Sequence, residues 1–251
     1  MKKITVLGGD ERLKILKMNL EKTGYIVDSL GLYKNDDGDI TTSQIIVLPV
    51  PTTKDGNTVF APLTGRSVPL SYITDNSTRN QLILCCNYSF KNRNFVDYGA
   101  LDSYALLNSV PTAEGAIKIA IEKTDFTLWK AKVLVIGYGR VGKILANRLK
   151  AMGCDVTISA RKPADLALAE ALGFSYINTS QLNSDPLEFD IIFNTVDVKV
   201  IEDNSLKDCT ADLILDLSSK GGLNLDAANA LGIKALKAPG LPGIIAPKTA
   251  A

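Results

Sequence analysis

The chain has 251 residues, 46% hydrophobic and 22% charged, with 28 basic against 27 acidic side chains and a formal net charge of +1. That balance argues against nucleic acid or an anionic membrane surface as a partner held by net charge. There is no histidine, which removes imidazole as general base, metal ligand or triad member.

In chain order, the apolar run Ile4–Leu7 predicts a strand. It is too short for the core of a signal peptide, and no apolar stretch approaches the ~18 residues of a membrane span, so the expectation is a soluble, cytoplasmic protein. Glu11–Thr23, with Leu13, Leu16 and Leu20 on one face, predicts a helix. Further strands are expected at Tyr25–Leu30, Gln44–Leu48, Gln81–Cys85 and Leu106–Leu107. Between Leu48 and Gln81 the periodicity dissolves among prolines and glycines, as in a functional loop. Thr112–Lys123, preceded by Pro111, carries the apolar stripe Ala113, Ala116, Ile117, Ala120 and Ile121 and predicts a linking helix. A second series follows, with strands Lys132–Ile136, Asp155–Ser159, Asp190–Asn194, Leu213–Leu217 and Ile233–Ala235. Its helices are expected at Arg140–Met152, Ala164–Leu172 and Leu225–Leu231, with Gly153, Gly173 and Gly232 at their left-handed C-caps. This alternation implies α/β architecture: two doubly wound, Rossmann-like domains, residues 1–110 and 111–251, joined by the linking helix. Cys85, Cys86, Cys154 and Cys209 form no C-x-x-C pair, so reduced thiols and no metal site are expected.

The chemistry is concentrated after Lys132–Ile136, where Gly137-Tyr138-Gly139-Arg140-Val141-Gly142 follows a strand and opens a helix. In that context G-x-G-x-x-G is a dinucleotide fingerprint: a tight turn, an approach for pyrophosphate, and close helix–strand packing, with the anion on the helix N-terminus. The second strand ends in Ser159-Ala160-Arg161-Lys162, without the carboxylate that would accept from a ribose 2′-hydroxyl. Ser159 as donor and Arg161 and Lys162 as cations favour a 2′-phosphate and hence NADP, with Arg140 adding a second guanidinium against adenine or phosphate. Thr195, Val196, Leu217 and Ser218, at later strand ends, are expected to line the nicotinamide half.

The first domain offers a second anion site at Gly8-Gly9-Asp10-Glu11-Arg12, before a helix N-terminus. Residue chemistry leaves this open against a plain turn with Asp10 as N-cap. Asn108 and Thr112 lie where the domains join. The segment 238–250, rich in Pro and Gly, is read as a packed loop carrying Lys248.

These segments together resemble the dipicolinate synthase A-subunit family. The resemblance is carried by Gly8-Gly9-Asp10 with Arg12, Asn108 with Pro111-Thr112-Ala113-Glu114-Gly115-Ala116-Ile117, Phe193-Asn194-Thr195-Val196, Asp216-Leu217 with Gly221-Gly222, and Ala238-Pro239-Gly240-Leu241-Pro242-Gly243 with Ala246-Pro247-Lys248-Thr249-Ala250. It implies an architecture similar to the D-2-hydroxyacid dehydrogenases and NADP-dependent oxidation of dihydrodipicolinate to dipicolinate, a branch of the lysine/diaminopimelate pathway in sporulating cells. It also implies a partner, a flavoprotein-like B subunit, and this scaffold commonly forms homo-oligomers. For the dicarboxylate substrate the candidates are Gly9, Asp10, Arg12, Arg66, Asn108, Thr112 and Lys248. Asp10 and Glu114 are candidate proton acceptors, beside a lysine or water. The chain departs from the family at Asp197, where proline is expected, and in a Ser218–Gly222 turn without proline. It stops at Ala251, where the family continues into a further helix. Rival readings are another NADP-dependent imine or keto-acid oxidoreductase and a non-catalytic nucleotide-binding protein with a regulatory role.

Overall fold

The computed structural model describes residues 2–251. Two compact units divide the chain: one holds the chain up to Leu107 together with Ala246–Ala251, the other Asn108–Ile245. The division thus falls a few residues before the expected boundary, and the last six residues pack with the first unit.

The first unit contains β1 (Lys3–Leu7), α1 (Glu11–Lys22), β2 (Ile26–Leu30), β3 (Ile45–Val47), α2 (Leu70–Asn76), β4 (Leu82–Cys85) and β5 (Asn94–Asp97). Its five strands are all parallel in the order β2-β1-β3-β4-β5. The winding therefore reverses between β1 and β3, the crevice where doubly wound sheets bind ligands. Alternate residues feed two cores: Ile4 and Val6 one, Leu7 and Ile46 the other. The segment after β3 is less loose than its composition suggests. Val59 and Val68 are buried and share a backbone hydrogen bond, and the carbonyl of Phe60 accepts from the amide of Gly9.

The second unit contains β6 (Lys132–Ile136), α4 (Arg140–Ala151), β7 (Asp155–Ala160), α5 (Pro163–Ala171), β8 (Ser175–Asn178), β9 (Ile191–Asn194), β10 (Leu213–Asp216), α6 (Leu225–Ala230), β11 (Lys234–Lys237) and α7 (Leu241–Ile245). Its six parallel strands lie in the order β11-β10-β9-β6-β7-β8. Val133, Val135, Phe193 and Leu215 face one core; Leu134, Ile136, Ile192 and Ile214 face the other. Each such side chain contributes roughly 1.5–3 kcal/mol by leaving water, and the double coverage explains the continuous apolar runs.

Helix α3 (Asp102–Lys123) runs through the division. It absorbs Leu106–Leu107, expected as a strand, and begins ten residues before Thr112. Pro111 sits inside it, buried, so the proline that reads as a helix start is an interior residue. The Thr112 hydroxyl donates to the carbonyl of Asn108 at 2.8 Å. Gly153, Gly173 and Gly232 have φ of 84°, 69° and 86°, the left-handed C-caps anticipated. Strands β5 and β8 carry no clear sequence signal; both lie at sheet edges and are half-exposed. Among the described residues no helix is long and apolar enough to cross a membrane.

Candidate functional site

A cavity of about 410 Å³ lies beyond the carboxyl ends of β6 and β9 in the second unit, where the strand order reverses. Its floor is the turn from β6 into α4. Gly137 has φ +95°, and a Cβ there would lie 2.4 Å from the Thr195 hydroxyl. At Gly142 a Cβ would meet the carbonyl oxygen of Gly137 at 2.0 Å, so helix and turn touch backbone to backbone. Gly139, by contrast, caps α4 without a side chain and has open space where a Cβ would project. A cradle with one open glycine above a helix N-terminus fits a pyrophosphate. Tyr138, Arg140 and Val141 line the cavity with these glycines. The Tyr138 ring is buried against Phe174, and its hydroxyl has no hydrogen-bond partner among the described residues.

The end of β7 forms another wall. Arg161 and Lys162 are exposed and line the cavity. Ser159 does not: its side chain is fully buried, and its hydroxyl shares a 2.9 Å hydrogen bond with that of Thr179. The expected direct contact from Ser159 is therefore corrected, because alternation along the strand turns it inward. Thr179 lines the cavity in its place, at the end of a strand with no sequence signal. Asp165, in the first turn of α5, also lines it, with its carboxylate 3.3 Å from Lys143. Val198 and Val200 add an apolar wall after β9.

Asn194, Asp216 and Lys237 are register partners at the ends of β9, β10 and β11, so their side chains form a row on one side of the sheet. Asp216 is fully buried and accepts from Asn194 Nδ2 at 2.8 Å, Lys237 Nζ at 2.9 Å and the Ser218 hydroxyl at 2.6 Å. Burial favours its neutral form, but these donors outweigh that and hold its carboxyl below the usual range. Asn194 Nδ2 also donates to the carbonyl of Val196, and the Thr195 hydroxyl to that of Ile136, which fixes the cavity wall. Leu217 and Ser218 line no part of the cavity; they continue from this row. Lys237 escapes a reading of strand ends because a lysine on an edge strand is ordinarily a solvated charge.

In the first unit, Asp10 caps α1 and pairs with Arg12. Its carboxylate takes Arg12 Nε at 2.9 Å and Nη2 at 2.8 Å, and Nη2 also donates to the carbonyl of Val50 at 2.8 Å. Arg12 is only 6% exposed. Burial disfavours its charge, but the hydrogen bond and charge of Asp10 outweigh that and raise its pKa. With Leu13, Val47, Leu84, Tyr98 and Tyr104 it lines a mainly apolar cavity of about 210 Å³. The amide of Gly9 is spent on the carbonyl of Phe60 at 2.7 Å, so it does not offer an anion the free donor expected of it. Arg66 donates to the carbonyl of Asp36 and lies 3.7 Å from its carboxylate, tying down a loop. Lys248 is exposed. The side-chain oxygen of Asn108 is buried without a partner among the described residues. Glu114 pairs at 3.0 Å with Arg148 in the last turn of α4, at the end away from the glycine turn. Burial pushes the Cys85 and Cys86 thiols up to about 11.

Residues 3–106 match the family of the dipicolinate synthase A-subunit N-terminal domain. Residues 113–223 match the family described as D-isomer specific 2-hydroxyacid dehydrogenase, NAD binding domain. The chain is 35% identical to the dipicolinate synthase A-subunit of Bacillus subtilis over 99% of its own length and 91% of the relative's. The crystal structure of the dipicolinate synthase A-subunit from Bacillus halodurans superposes with a TM-score of 0.87 at 31% identity, covering 99% of this chain and 93% of that one. Apo D-lactate dehydrogenase from Escherichia coli superposes at 0.60 with 16% identity, over 99% and 93% of the two chains, and shares the fold.

Proposed function

The chain belongs to the dipicolinate synthase A-subunit family, and from that premise we propose that it oxidises dihydrodipicolinate to dipicolinate with NADP⁺. The observation that carries this reading is the wall of the nucleotide cavity, where β7 ends in Arg161 and Lys162 and the nearby carboxylate, Asp165, is paired with Lys143. Two exposed cations beside a threonine hydroxyl suit a 2′-phosphate. An NAD site would present an acceptor for the 2′-hydroxyl instead.

When bound, the nicotinamide supplies the hydride acceptor. The chain's own residues bind and orient. The amides and open glycine of the β6–α4 turn hold the pyrophosphate, and Arg161 and Lys162 hold the 2′-phosphate. Thr195 and Val196 bound the cavity on the other side. In the first unit, Arg12 presents a buried cation beside apolar and aromatic walls, a combination that suits a planar ring bearing carboxylates. Both candidate proton acceptors are ion-paired, Glu114 with Arg148 and Asp10 with Arg12; we retain Asp10 because its partner, Arg12, is the cation proposed to face the substrate. No imidazole acid is required, because oxidation of the ring yields an aromatic product and leaves no alkoxide to protonate. We further propose that the chain acts in the cytoplasm of sporulating cells, as a homo-oligomer, and that its partner is a flavoprotein-like B subunit.

The test is a substrate panel. The chain, alone and with its B subunit, is mixed with NADP⁺ and freshly prepared dihydrodipicolinate, and NADPH absorbance is followed. In parallel, NADPH is offered with 2-keto acids and cyclic imines. NADPH formation from dihydrodipicolinate by the chain alone supports the proposal. Turnover only in the reverse panel would indicate a reductase, and nucleotide binding without turnover in any arm would indicate a regulatory role.

A further inference from the structure

The Ser218–Gly222 turn after β10 is held in an unusual way. All five of its backbone amides donate to side-chain oxygens. Ser218 N and Gly222 N go to the two oxygens of Asp216, at 3.0 and 3.3 Å. Ser219 N and Lys220 N both go to Asp197 Oδ1, at 2.6 and 3.1 Å. Gly221 N goes to the Ser218 hydroxyl at 3.0 Å, and that hydroxyl also receives Lys237 Nζ at 3.1 Å. The shape of the turn is therefore set by two carboxylates from different strand ends, one of them anchored by a lysine.

Resting on the dinucleotide reading above, we propose that Asp197, Asp216 and Lys237 are positioning residues: they clamp the Ser218–Gly222 turn against the end of β9 and so fix the nicotinamide end of the bound cofactor.

Three observations place the clamp there. The turn lies beyond the carboxyl end of β10, next to β9, on the side of the sheet where doubly wound folds bind ligands. It presses on the cavity wall, since a Cβ on Gly222 would lie 2.0 Å from Asn194 Nδ2 and 2.7 Å from the carbonyl oxygen of Val196, and Val196 lines the nucleotide cavity. Finally, the fully buried Asp216 carboxylate is satisfied by Asn194, Ser218, Lys237 and the turn's own amides, so its position and that of the turn are fixed together.

The test compares two ligands on the full chain: NADPH, whose nicotinamide fluoresces, and 2′-phospho-ADP-ribose, which lacks that ring. For Asp197→Ala, and independently Lys237→Met, we expect NADPH to lose its fluorescence enhancement and about threefold or more in affinity, with 2′-phospho-ADP-ribose affinity unchanged. Amide exchange at Ser219 and Lys220 should accelerate about tenfold or more in Asp197→Ala, and Lys237→Arg should restore the NADPH signal. Equal losses for both ligands, or none for either, would overturn the clamp while leaving cofactor binding intact. A wild-type chain that binds neither NADPH nor NADH would overturn the cofactor reading and the clamp together. Circular dichroism identifies any variant that fails to fold, in which case the other of the two, Asp197→Ala or Lys237→Met, carries the comparison.

Discussion

Replacing Arg161 by Ala isolates the cofactor assignment. Arg161 is exposed at the end of β7 and faces the nucleotide cavity beside Lys162. Hydrogen bonds to charged groups contribute ~1.5–3 kcal/mol, and exposure to water and salt pulls the value to the lower end. About 1.5 kcal/mol is roughly tenfold in Kd. Titration calorimetry with NADP⁺ and NAD⁺ reads this directly: Arg161→Ala should weaken NADP⁺ about tenfold and leave NAD⁺ within about twofold. The double variant with Lys162→Ala should bring the two cofactors close to parity. The loss should shrink as salt is raised, because the contact is electrostatic. Equal weakening of both cofactors would refute the reasoning, since Arg161 would then act on a part the two share.

Three further outcomes follow from particular contacts. Gly142→Ala places a methyl 2.0 Å from the Gly137 carbonyl; overpacking of this kind costs ~1–3 kcal/mol, so a lower Tm and lost nucleotide affinity are expected, and a variant that binds normally would contradict the backbone contact. Asp216 has a lowered carboxyl pKa, so it contributes stability above the unfolded-state value of about 3.9 that disappears as pH falls through its folded value; acid titrations should show that loss below about pH 4 in the wild type and a flatter limb in Asp216→Asn, and identical acid limbs would contradict it. Arg12→Lys keeps the charge but loses the fork on Asp10 and Val50; it should raise the KM for dihydrodipicolinate while sparing NADP⁺ affinity, and the opposite split would remove Arg12 from the substrate site.

The parts of the fold legible in the sequence are those with doubled signals. β6, β9 and β10 are buried on both faces and read as apolar runs, and α4 is announced by its glycine turn. β5 and β8 are edge strands whose pairing with one neighbour leaves them polar, so periodicity passes over them. Pro111 marks a helix start by its chemistry, yet α3 begins at Asp102 and runs through it, its earlier turns largely exposed with Leu106 and Leu107 facing water. At the site, residue type identifies the phosphate cradle, because glycine has few other reasons to recur at that spacing. The orientation of Ser159 could not be read the same way. Its hydroxyl faces inward onto that of Thr179, a residue distant in sequence that lines the cavity. The Asn194–Asp216–Lys237 row needs the register of three strands, and that exists only once the sheet is assembled.

The claim that joins these observations is that the end of β7 selects NADP⁺ for oxidation of dihydrodipicolinate. It is tested most directly by initial rates on that substrate with NADP⁺ and NAD⁺ at matched concentrations. The account predicts a kcat/KM for NADP⁺ at least about tenfold above that for NAD⁺. Equal or reversed values would contradict it.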